Sequence, residues 1–127
     1  MKKVLFLPVF VGILGISCLN NVEDTSGEVQ TNVSYINDVQ PIFNASCTSC
    51  HGNSGGVNLS SYQSLITSNG NFYGTNLVVP GDAAASGLVD KIEANPDFGT
   101  RMPQGGTLSG NQIETIKAWI NEGALNN

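Results

Sequence analysis

The sequence predicts an all-α domain of about four short helices. Three observations lead there. From Val39 onward the apolar residues recur at helical spacing. No stretch alternates apolar and polar residues over the length of a strand. The final segment opens with a complete helix-start signature, Ser109 followed by Gln112 three residues later. A chain of 127 residues is long enough for one small domain with appendages.

The appendages come first. Lys2 and Lys3 precede an apolar run from Val4 to Ile16, interrupted by Pro8, Gly12 and Gly15. That run has the length of a secretory signal core and is short for a membrane span. It ends at Ile13-Leu14-Gly15-Ile16-Ser17-Cys18, which looks like a bacterial lipoprotein signal cut before its cysteine, with Gly15 where that pattern usually has leucine. Residues 1–17 are therefore expected to be a lipoprotein-type signal peptide, and Cys18 the lipidation site. An uncleaved anchor, or an ordinary cleaved signal followed by a stray cysteine, are the competing readings. Residues 18–33 read as the lipidated cysteine and a flexible acidic tether, rich in Asn, Glu, Asp, Thr and Ser and without an apolar period. As a coil, such a segment spans about 20 Å. A packed strand is an alternative only near Val33 to Ile36.

The domain then occupies residues 34–127. Asp38 is the expected N-cap of the first helix, with Pro41 in the first turn, where its missing N–H does little harm. Val39, Ile42 and Phe43 share a face, and Cys47 lies one turn further on. A second helix is predicted over about Ser61 to Ser68, with Tyr62, Leu65 and Ile66 apolar. A third is predicted over Ser86 to Ala94, with Leu88, Val89 and Ile92, stopping at Asn95-Pro96. Residues 70–82 form a loop with an apolar centre. The last helix has Ser109 as N-cap, Leu108 and Ile113 as a hydrophobic staple, and Ile113, Ile116 and Ile120 on one stripe flanked by Trp119. Gly123 is its C-cap.

The chemistry is concentrated in Cys47-Thr48-Ser49-Cys50-His51. C-x-x-C-H is the spacing that attaches haem covalently: the two sulfurs add to the two vinyl groups of one porphyrin, and the histidine becomes an axial ligand. His51 is the only histidine in the sequence. Beyond the leader, Met102 is the only methionine, and it sits in Gly99-Thr100-Arg101-Met102-Pro103-Gln104-Gly105-Gly106. A lone methionine is ordinarily core filler. In a Gly/Pro-rich loop it has little to pack against, so Met102 is the expected second axial ligand. Histidine–methionine ligation raises the potential and closes the iron to substrate, which favours electron transfer over catalysis. A thioredoxin-like dithiol would need a βαβ context, and a zinc site a fourth ligand beyond Cys47, Cys50 and His51. One such motif implies one haem.

Taken together, Cys47–Gly52, Val57–Tyr62, Val79-Pro80-Gly81-Asp82, Arg101-Met102-Pro103, Leu108-Ser109 and Ile116–Ile120 resemble a class I-type c-type cytochrome. Within that class the similarity is to the small planctomycete-type cytochrome c domain, over about residues 34 to 127. The resemblance implies an all-α, cytochrome c-like fold wrapped round one covalently attached haem c, with His51 and Met102 as axial ligands. It also implies first and last helices that cross near the haem edge, where Phe43 and Trp119 meet. Val79 and Pro80 are candidates for packing on the haem, with a nearby backbone carbonyl orienting His51, and Arg101 is a candidate partner for a propionate. Pro80-Gly81 as a plain turn and Arg101 as a surface charge are the alternatives.

The expected function is a monohaem electron carrier rather than an enzyme, exported and lipid-anchored at the periplasmic or cell-surface side of a bacterial membrane. The alternatives are a haem subunit of a larger oxidoreductase and a haem ligand sensor. The chain carries a formal charge of −5. Starting from Cys18 it would keep three cations, Lys91, Arg101 and Lys117, against ten acidic residues, a charge of −7. Such a field disfavours nucleic acid and suits redox partner proteins with basic docking patches.

Overall fold

The computed structural model describes residues 32–127. The expected signal peptide, the expected lipidation site Cys18 and most of the expected tether lie outside the described residues. Val33, at the end of that tether, donates its N–H to Glu122 Oε2 at 2.8 Å, and its carbonyl accepts from Asn127 Nδ2 at 3.1 Å.

Four α-helices follow in order: α1 (Gln40–Ser46), α2 (Tyr62–Ile66), α3 (Gly87–Ile92) and α4 (Gly110–Asn121). There is no strand among the described residues, only an isolated bridge between Gly70 and Gly74. No helix among them is long and apolar enough to cross a membrane.

The first helix starts earlier than the sequence predicts. A wide π-type turn, Tyr35–Val39, precedes α1, and its N-cap is Ser34, not Asp38. Ser34 Oγ accepts from the Asn37 N–H, and Asp38 reaches back to accept from the Ser34 N–H at 2.8 Å. The wide turn has a local cause. Pro41 has no N–H to give to the carbonyl of Asn37, and its ring crowds that carbonyl. Opening the turn by one residue relieves the conflict, and the Gln40 N–H bonds back to the Tyr35 carbonyl, five residues away.

Of the other helices, α4 starts after Ser109 as predicted, while α2 and α3 each begin one residue later and end two residues earlier than predicted. Ser61 caps α2 by accepting from the Ser64 N–H. Leu65 points inward, whereas Ile66 is 43% exposed and belongs to the surface. Ser86 precedes α3, whose Leu88, Val89 and Ile92 are all buried. That helix stops at Ile92 because Glu93 is already extended, ahead of Asn95 with φ +59°. On α4 the capping box of Ser109 and Gln112 is complete. At its other end Glu122 is the cap and Gly123 the residue after it, with φ +102°. The Ala124 N–H reaches the Trp119 carbonyl and the Gly123 N–H reaches that of Ile120, a Schellman ending.

The core joins α4 to the first turn. Val39, Phe43, Leu65, Ile116, Trp119 and Ile120 are essentially inaccessible. Phe43 and Trp119 both belong to this core, and the Tyr35 ring packs against each of them, with centroids 6.4 Å from Phe43 and 5.2 Å from Trp119. Trp119 Nε1 donates to the Leu125 carbonyl at 2.8 Å, so its polar edge is satisfied inside the core.

Candidate haem site

The cysteine turn grows directly out of α1. The Cys47 N–H still bonds to Phe43, one helical turn back, while the N–H groups of Cys50 and His51 both reach the Cys47 carbonyl. That tight turn carries both thiols and the imidazole, and all three residues line one cleft. Cys47 packs against the core and Cys50 is exposed. Burial pushes the Cys47 thiol up to about 11. A dithiol catalyst needs its first cysteine moved the other way, toward the thiolate.

His51 Nδ1 lies 3.0 Å from the Ser54 carbonyl. A carbonyl only accepts, so Nδ1 carries the proton and Nε2 keeps its lone pair for a metal. The orienting carbonyl is thus three residues from the histidine and not near Val79, as the sequence suggested.

These residues open onto a cavity of about 460 Å³. Its walls are mainly apolar, with Val57, Leu59, Leu77, Leu88 and Ile92 among them. Cys47, Cys50 and His51 line it, and so do Met102, Pro103 and Gln104 from a loop more than 50 residues away in sequence. A methionine far from any helical stripe has therefore been brought into the same cleft as the cysteine turn. Phe72, Tyr73 and Lys91 also line the cleft, and the sequence reading did not single out any of them.

Val79, Pro80 and Arg101 are not among the lining residues. Val79 and Pro80 belong to a turn: the Asp82 N–H bonds to the Val79 carbonyl, and Gly81 has φ +84°. Proline followed by a left-handed glycine is the pattern of a type II turn. The buried Ser86 hydroxyl holds it, accepting from the Val79 N–H and donating to the Asp82 carbonyl, each at 2.8 Å. Arg101 points elsewhere because its Nε donates to the Ile92 carbonyl at 2.7 Å. It lines a separate shallow depression with Glu93 and Glu114.

The residues fit a covalently held haem. An apolar plate needs an apolar slot, two thiols at its edge and donor-bearing side chains from separate segments, and residues of each kind line this cleft. Among the described residues no three His, Cys, Asp or Glu side chains are grouped as a single metal ion would require. Cys47, Cys50 and His51 are spread along the turn instead.

A family model described as Planctomycete cytochrome C matches residues 47–105. No curated protein and no solved structure matches the chain. The matched segment begins at the first cysteine of the turn and ends just past the Met102 loop, and every cleft-lining residue except Ser46 falls inside it. Residues 47–105 thus match a small planctomycete-type cytochrome c domain, the described residues are all-α in fold, and that family implies covalently bound haem c and a role in electron transfer.

Proposed function

We propose that this protein is a membrane-tethered monohaem electron carrier. The observation that carries the reading is that Cys47, Cys50, His51 and Met102, from two distant segments, line one apolar cleft. In this reading Cys47 and Cys50 hold the haem, and His51 and Met102 are its axial ligands. Bound haem supplies a one-electron iron couple. The chain supplies the rest. Ser54 fixes the imidazole through Nδ1, leaving Nε2 as the donor atom. Leu59, Leu77, Leu88 and Ile92 exclude water, which limits solvent rearrangement when the charge in the cleft changes.

The charge pattern supports partners with basic docking patches. Lys117 is paired with Glu93 at 3.1 Å and Glu114 at 3.2 Å. Lys91 and Arg101 are engaged with backbone carbonyls. The remaining surface presents an excess of carboxylates to an incoming protein. Lipidation at Cys18 would keep the carrier at an exported membrane face, with the tether giving it reach.

A redox-titrated visible spectrum of the purified holoprotein, followed by carbon monoxide addition, tests the reading. It predicts a c-type haem spectrum, a single one-electron transition, the weak far-red absorption of an iron–thioether bond, and no rapid carbon monoxide binding at neutral pH. Rapid binding would transfer the protein to the ligand-sensor class. Absence of haem absorption would end the proposal.

A further inference from the structure

The Met102 loop is rich in glycine and proline and has no helix of its own, so something outside it must hold it. The end of α3 does so. The last carbonyls of a helix lack intrahelical partners, and here they accept from the loop. The Lys91 carbonyl takes the Met102 N–H at 2.7 Å, and the Ile92 carbonyl takes Arg101 Nε at 2.7 Å. The Lys91 side chain closes the arrangement from the other direction. Its Nζ donates to the Phe98 carbonyl at 2.7 Å and to the Thr100 carbonyl at 2.6 Å. Among the described residues the only ion pairs involve Lys117, so the Lys91 charge is directed at these two carbonyls. The face of Phe72, at 6.0 Å, covers the ammonium, and Phe72 stacks on Phe98 with the rings 5° from parallel.

We propose that Lys91 is a positioning residue for Met102: through its own carbonyl and its ammonium it fastens residues 98–102 to α3 and so holds the thioether in the cleft. The proposal rests on Met102 being an axial ligand, as in the function proposed above. Two charge-assisted hydrogen bonds offset the entropy of ordering a glycine-rich loop. Arginine can reproduce both bonds, whereas glutamine loses the charge and part of the reach.

The test compares full-length holoprotein with Lys91→Gln, Lys91→Arg and, as a control cation elsewhere, Lys117→Gln. Lys91→Gln is expected to weaken the far-red thioether absorption of the oxidised protein. It should also speed carbon monoxide binding to the reduced protein and Met102 amide exchange, each on the order of tenfold. Lys91→Arg should restore all three readouts, and Lys117→Gln should leave them as in the wild type. Three results would overturn the proposal. In one, Lys91→Gln is wild-type in all readouts. In the second, Lys117→Gln produces the same changes. In the third, the wild-type Met102 amide exchanges as fast as that of Gly105, which decides the matter even if Lys91→Gln yields no holoprotein. A wild type without the thioether absorption would count against the ligand assignment instead, and Met102 amide exchange would still report on the clamp.

Discussion

Tyr35 places its ring 5.2 Å from Tyr62, 5.2 Å from Trp119 and 6.4 Å from Phe43, and its hydroxyl donates to Gln40 Oε1 at 2.7 Å. Burial, then the nearby Tyr62, pushes its phenol up to about 12. The sign of the consequence is fixed. In the unfolded chain the phenol ionises near 10, so folding favours the protonated form. The stabilisation is complete below about pH 10 and is lost as pH rises toward 12. Tyr73, raised to about 12 by burial and by its bond to Asp90, contributes in the same window. Tyr35→Phe keeps the ring and loses the bond to Gln40, which costs about 1 kcal/mol at neutral pH. Thermal melts between pH 8 and pH 11 are expected to show the gap between variant and wild type narrowing at the alkaline end. A gap that stays constant would mean that the Tyr35 phenol does not titrate with unfolding.

At the scale of elements, α3 is the hinge between the core and the cleft. Its first residue, Gly87, is buried, and a Cβ there would lie 2.2 Å from Cγ of Tyr73. Tyr73 is held on the far side by its hydroxyl bond to Asp90, whose carboxylate also accepts from the Asp97 N–H at 3.1 Å. The ring has little room to retreat without breaking that link. Gly87→Ala is therefore expected to destabilise the domain by about 2 kcal/mol, within the range for overpacking a close contact. Chemical denaturation measures it, and a loss under about 0.5 kcal/mol would show that the Tyr73 wall yields freely.

Element starts were largely legible in the sequence, because caps are local chemistry. Ser109 precedes α4 as expected, with its capping box to Gln112 complete, and α2 and α3 begin one residue after Ser61 and Ser86, their expected first residues. The start at Ser34 was missed for a physical reason. The wide turn displaces the returning carboxylate from the third helical residue to Asp38, one further on, so the usual spacing does not appear. The role of Arg101 was not legible either. Its partner is a helix-end carbonyl at Ile92, and nothing local to Arg101 announces that the loop folds back onto α3. Met102 was legible as the odd methionine in a loop, and it does reach the cleft of the cysteine turn.

At the scale of the whole molecule, the described helices are short, and the cleft has an apolar lining with no side chain of the described residues filling its centre. A domain of this size has a marginal core without a further apolar mass. A haem seated between Leu59, Leu77, Leu88 and Ile92 would supply it, so the chain should depend on its cofactor for folding. Cys47→Ser with Cys50→Ser is expected to lose most of the helical circular-dichroism signal. A native-like helical spectrum from that variant would separate folding from haem attachment. The central claim is that one haem is bonded to the chain through Cys47 and Cys50. Its most direct test is the mass of the peptide containing Cys47–His51, digested from protein exported by cells that mature c-type cytochromes and stripped with acidified organic solvent. The expected mass is that of the peptide plus one haem, and the mass of the bare peptide would contradict thioether attachment.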